Sequence, residues 1–228
     1  MIKIQFWKET KDMKVVLIHT SPVSLNDLKA LFKEIIPEVE MVNIIDDSLL
    51  DEVKKNGQIN PAIISRMCSY VQVAKTLKPD LIFNQCSSVG EAFDIARQQA
   101  DCKTLKIDEA MAEKAVELGS KIGVVATVSS TVKPSCNLVR RKALEAGKDV
   151  AVTGYLVDGA LDILMSGDAD KHNELVIKAI RKAESENDAV VLAQGSMTAI
   201  LPLLGETEKP VLTSPRLAVE RVKKELGF

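Results

Sequence analysis

The stretch Asp80-Leu-Ile-Phe-Asn-Gln-Cys86-Ser-Ser-Val-Gly90-Glu-Ala-Phe-Asp-Ile-Ala96 decides how the rest of the chain is read. Leu81, Ile82 and Phe83 form a short apolar run, suited to a buried strand, that stops before Cys86, Ser87 and Ser88. Val89, Ala92, Phe93 and Ala96 then recur at helical spacing. Strand, tight polar turn and helix follow one another, with one thiol at the turn. In an open parallel sheet the ligand crevice lies outside the carboxyl ends of the strands, where this turn falls. The unpaired N–H groups and positive dipole end of the next helix favour a bound carboxylate and a cysteine thiolate. Cys86 is thereby the candidate reactive group, expected to be alkylated ahead of Cys68, Cys102 and Cys136 at neutral pH. A plainer reading stands beside it. Free cysteine often serves as a small buried hydrophobe, and Ser88 followed by Glu91 fits a helix capping box.

Outward from this stretch the same alternation continues. Lys14–Thr20 reads as a buried strand ending in His19, Thr20 and Ser21, and Leu28, Leu31, Phe32 and Ile35 form the inward stripe of a helix that Pro37 stops. Met41–Ile45 is a second strand. Asn60 and Pro61 are a cap and first-turn pair for a helix carrying Ile64, Met67, Val71 and Ala74. Beyond Cys86, a short strand near Thr104–Ile107 precedes a helix over Asp108–Leu118, with Gly119 as its stop. Lys121–Thr127 is another buried strand, followed by a helix whose first turn is expected to hold Pro134. Strands near Ala151–Thr153, Asp188–Ala193 and Pro210–Thr213 follow, with helices over Glu174–Ala183 and after Ser214-Pro215. The alternation predicts an α/β fold with mainly parallel sheets.

Composition narrows the function classes. Hydrophobic residues make up 46% and charged residues 27%, as in an ordinary soluble globular protein. A net charge of −2 gives no electrostatic reason to expect nucleic acid or an anionic membrane as partner. No apolar run approaches the roughly 20 residues that span a bilayer. Residues 1–14 mix Phe6 and Trp7 with Lys3, Lys8, Glu9, Lys11 and Asp12, which is unlike a signal peptide, so a cytoplasmic protein is expected. The four cysteines are too sparse for a disulfide scaffold, contain no Cys-x-x-Cys pair, and have only His19 and His172 beside them, so no metal site is expected. No Walker or dinucleotide fingerprint is present, and the chemistry is expected to need no cofactor. The composition is compatible with a homo-oligomer.

A faint internal repeat gives the domain organisation. Lys14-Val-Val-Leu-Ile-His-Thr-Ser aligns with Lys121-Ile-Gly-Val-Val-Ala-Thr-Val, and Asp80-Leu-Ile-Phe-Asn-Gln-Cys with Asp188-Ala-Val-Val-Leu-Ala-Gln, in the same order at nearly the same spacing. Two pseudo-symmetric lobes are expected, each a mainly parallel sheet flanked by helices. Residues 1–103 with about 205–228 would form the first and about 104–204 the second, with the ligand in the interlobe cleft. Under this pairing Thr20 answers Thr127, Ser24 answers Thr131, Cys86 answers Gln194 and Ser88 answers Ser196. Such a cleft is lined by hydroxyls and backbone N–H groups with almost no positive charge, which suits a small carboxylate or imide. Hydroxyls after strands also commonly cap helices or close turns.

These residues resemble the aspartate/glutamate/hydantoin racemase superfamily. Cys86-Ser87-Ser88 is similar to that family's first-lobe cysteine and its small polar neighbours. Leu192-Ala193-Gln194-Gly195-Ser196-Met197 is similar to the second-lobe segment, usually Leu-Gly-Cys, and Gly123-Val-Val-Ala-Thr127 with Thr131 to the opening of that lobe. The resemblance implies cofactor-independent proton transfer beside a carboxylate or carbonyl, with one thiolate removing the proton and a thiol opposite returning it. By position Cys86 is the first acid/base. Thr20, Ser21, Ser87, Ser88, Thr127, Thr131, Gln194, Gly195 and Ser196 would hold the substrate. The departure is Gln194, which stands where the second cysteine belongs and has no proton to exchange in the working pH range. His19 is the candidate replacement acid/base, since its reference pKa is near neutral. The alternatives are a one-cysteine decarboxylase or isomerase of the same superfamily, a nucleophilic role for Cys86, and a catalytically silent protein that binds a small carboxylate.

Overall fold

The computed structural model describes residues 13–228, and the leader reading of the first dozen residues lies outside them. The first lobe opens with β1 (Lys14–His19), α1 (Leu25–Ile35), β2 (Glu40–Ile45), α2 (Ser48–Asn56) and α3 (Pro61–Thr76). It continues through β3 (Leu81–Asn84), a 3-10 turn at Ser87–Val89, α4 (Gly90–Ala96) and β4 (Lys103–Lys106), after which α5 (Glu109–Leu118) packs Met111, Ala112, Ala115 and Val116 into the second lobe's core. The second half runs through β5 (Lys121–Ala126), α6 (Ser129–Glu145), β6 (Ala151–Leu156), α7 (Ala160–Met165), α8 (Ala169–Glu186) and β7 (Ala189–Leu192). A 3-10 segment at Gly195–Ile200, α9 (Leu201–Leu204), β8 (Val211–Thr213) and α10 (Ser214–Leu226) close it.

The strands form two four-stranded sheets, ordered β2-β1-β3-β4 and β6-β5-β7-β8, in which every pairing is parallel. β3 and β7 are buried at all four positions, as expected of central strands covered on both faces. In the first sheet Val16, Ile18 and Ile82 pack towards α3 and α4, while Val15, Leu17 and Phe83 pack towards α1 and α10. In both sheets the order reverses between the two central strands, so each has its switch point there. The strand partition differs from the sequence boundaries: Lys103–Lys106 pairs in the first sheet and Val211–Thr213 in the second. Only α10 returns, placing Ala218, Val219 and Val222 in the first lobe's core.

Three local readings change. The helix α2 was not expected, because Leu49 and Val53 are its only buried residues within a charged stretch closed by Gly57 at φ 68°. Pro134 lies inside α6 rather than in its first turn, since the helix begins at Ser129. Ser88 makes no capping bond to α4; it belongs to the preceding 3-10 turn, and Val89 occupies the cap. The Asn60 cap is as read, accepting the Ile63 N–H at 2.9 Å.

Candidate active site

Parallel strands deliver their loops to one edge, so β1 and β3 bring Thr20 and Cys86 together at the first switch point. Thr20 is buried, and its hydroxyl is among the groups beside the Cys86 sulfur that favour the thiolate. The backbone N–H groups of Ser88 and Val89 and the Ser88 hydroxyl reach the same sulfur. The sulfur thus sits in a nest of donors made by the 3-10 turn, which is the local reason a thiolate can be held there. Burial nevertheless pushes the thiol above its ordinary value, and these hydrogen bonds only partly offset it. The direction of the shift runs against a thiolate poised at neutral pH. The helix end is present, but desolvation wins.

β5 and β7 bring Thr127 and Gln194 together at the second switch point. Gln194 Oε1 accepts the Thr127 N–H at 3.1 Å, and Gln194 Nε2 is buried without a hydrogen-bond partner. The glutamine thus occupies the Thr127 amide and offers its own N–H in exchange. Thr131 is buried in the first turn of α6, Gly195 is half-buried, and Ser196 is exposed. α6 packs against the Ser87–Val89 turn, which brings the two lobes into contact beside Cys86.

His19 does not join the sulfur. It shares strand parity with Val15 and Leu17, so its side chain leaves the sheet on the α1 face, whereas Cys86 packs with the cluster on the α3–α4 face. It is fully buried, with Nε2 2.9 Å from Asn43 Oδ1. Burial lowers its pKa, which the Asn43 hydrogen bond only partly opposes. These contacts do not support His19 as the partner acid/base. Ser21 is half-buried and near the turn, where its hydroxyl accepts the Val23 N–H at 3.3 Å.

Sequence reasoning missed the charges of the interlobe seam. A cavity of about 260 Å³ opens between α4 and α6, bordered by Ser87, Asp94, Lys106, Asp108 and Arg141. Lys106 is 3% exposed and its Nζ lies 2.9 Å from Asp94, while Arg141 reaches the same carboxylate oxygen at 2.7 Å from the other lobe. Burial pushes the Asp108 carboxyl above the ordinary range, with the Lys106 charge opposing it. The seam beside the cleft therefore carries two cations, both paired with Asp94. The available signal was Lys106 itself, a cation closing a strand whose neighbours Leu105 and Ile107 are apolar.

Two parallel sheets related by an internal repeat, with the loops after their central strands carrying Cys86 and Gln194, match a known family. A family model for Asp/Glu/hydantoin racemases covers residues 29–222. The chain belongs to this family. A search of curated proteins returns no significant match. Solved structures share the fold at low identity. A glutamate racemase from Bacillus anthracis is 13% identical with a TM-score of 0.69, over 95% of this chain and 84% of that one. An aspartate racemase from Picrophilus torridus is 15% identical with a TM-score of 0.68, over 94% of each chain. An allantoin racemase from Klebsiella pneumoniae is 16% identical with a TM-score of 0.66, over 94% and 87%. Racemase-family membership makes this chain a racemase- or isomerase-like protein. No helix among the described residues is long and apolar enough to cross a membrane.

Proposed function

We propose that this family member is a cofactor-independent enzyme that moves a proton at the carbon beside a small substrate's carboxylate, with Cys86 as its only thiol acid/base. The observation that carries the proposal is the place of Cys86 at the end of β3, beside the buried Thr20 and Ser88. In the forward step the Cys86 thiolate takes the proton from carbon: the C–H bond breaks, an S–H bond forms, and the electron pair passes into the carboxylate as an enediolate. Gln194 Nε2, lacking a protein partner, supplies a hydrogen bond to the developing oxyanion. Ser87, Ser88, Thr131, Gly195 and Ser196 are the proposed substrate-holding groups, with Thr20 and Ser21 at the first strand's end. The S–H exchanges its proton with water, and the thiol then returns one to the same face: the S–H bond breaks and the C–H bond re-forms from the enediolate pair.

Because Gln194 has no proton to give, this reading predicts exchange with retention of configuration rather than full racemisation. The same feature favours a second reading, a one-cysteine decarboxylase in which Cys86 protonates the planar intermediate left after loss of carbon dioxide. Incubation with aspartate, glutamate, hydantoins and malonates in deuterated water, followed by mass spectrometry and chiral chromatography, separates them. Deuterium in recovered substrate of unchanged configuration supports exchange, and a deuterated monoacid from a malonate supports decarboxylation. Binding without either product means a silent carboxylate-binding protein. Gln194→Cys should convert exchange into racemisation.

A further inference from the structure

Asp108 stands just beyond β4, at the start of α5, and forms part of the wall of the α4–α6 cavity. It is 5% exposed, and its Oδ1 has no hydrogen-bond partner. A buried carboxylate oxygen without a partner is costly. The cations around the cavity do not supply the missing bond. Lys106 Nζ and Arg141 are both committed to Asp94, and Arg97 behind them bonds Asp94 and Glu109. Glu91, also on the wall, receives only the Asn137 amide at 3.3 Å. The uncommitted charge of the cavity is therefore negative. Pro134 and Leu138 of α6 add an apolar wall opposite. Among the described residues no group of histidine, cysteine and carboxylate side chains is arranged to hold a metal ion.

We propose that this cavity, which adjoins the Cys86 crevice at Ser87, is a binding site for a small alkylammonium compound, with Asp108 as the counter-charge and Glu91 at the rim. The ammonium supplies the donors that Asp108 lacks, and the alkyl stem lies along Pro134 and Leu138. An anion fits poorly, since Asp94, Asp108 and Glu91 all border the space. The inference stands independently of the proton chemistry at Cys86. Its ligand touches α4 and α6 together, so occupancy would link the lobes.

The test is an amide NMR titration of the full-length protein at about pH 8, well above the ordinary carboxylate range because burial raises Asp108, with n-butylamine and, separately, butyrate of equal chain length. Saturable shifts at Gly90 and Asn137 with the amine, and binding about tenfold weaker or worse in Asp108→Asn, are expected. Glu91→Lys changes an exposed side chain, so it keeps the test valid if Asp108→Asn fails to fold. It should also weaken the amine. Butyrate binding as tightly as the amine, no response to the amine, or wild-type affinity in the folded variants would overturn the proposal.

Discussion

At the residue scale the proposed chemistry turns on one sulfur and the competition between its surroundings. Donors from Thr20, Ser88 and Val89 favour the thiolate, and burial disfavours it more strongly. The sign follows: a raised thiol pKa leaves the working base scarce at neutral pH, so exchange should climb about tenfold per pH unit until the pKa is passed. Iodoacetamide labelling of Cys86, followed by peptide mass spectrometry, should climb on the same curve. A labelling rate already on its plateau at pH near 7 would contradict this. Thr20→Val removes one donor, so it should move the labelling midpoint further upward. Gln194 makes a second prediction. Gln194→Ala leaves the Thr127 N–H without its acceptor and should cost about 1–3 kcal/mol in urea unfolding.

At the element scale the sequence was most legible where apolar residues fill consecutive strand positions. Leu81–Phe83 and Ala189–Leu192 could be read because central parallel strands need apolar side chains on both faces. α2 was hidden, because a helix that buries only Leu49 and Val53 leaves little periodic signal. The site divides in the same way. Cys86 and Thr20 were legible from position at the ends of β3 and β1. The Asp94 contacts with Lys106 and Arg141 were not, since they join residues far apart in the chain through side-chain reach. His19 misled because its strand position says nothing about which face the ring leaves by until parity is set against the core. Close approach of elements gives a third prediction. A Cβ at Gly154 would lie 2.7 Å from Val132 Cγ1, so β6 and α6 need a glycine there. Gly154→Ala should destabilise by about 1–3 kcal/mol in urea, and Val132→Ala should recover part of that loss in the double variant. Additive losses would contradict the contact.

At the scale of the whole molecule, Asp94 is a carboxylate that ties the lobes across their seam. It bonds buried Lys106 on its own side and Arg141 on the other. Burial raises its pKa, but Lys106 and Arg141 together outweigh that, and the net shift is downward. A group depressed in the folded state contributes stability above its unfolded value, and that contribution is lost as pH falls through the folded one. Asp94→Asn should therefore cost about 2–4 kcal/mol at neutral pH, a range reduced from that of fully buried pairs because Arg141 is partly exposed. The two proteins should converge in stability in acid, below the carboxylate range. A difference in urea midpoint that does not change with pH would show that Asp94 acts through packing instead.

The central claim is that a family member with glutamine in place of the second cysteine still moves protons through Cys86. Solvent deuterium incorporation at the α-carbon, compared between the wild type and Cys86→Ser over the same panel of carboxylates, tests it most directly. The account predicts incorporation into at least one substrate or its decarboxylated product by the wild type, and none above background by the serine variant. Equal incorporation by both proteins, or none by the wild type with any of these compounds, would contradict it.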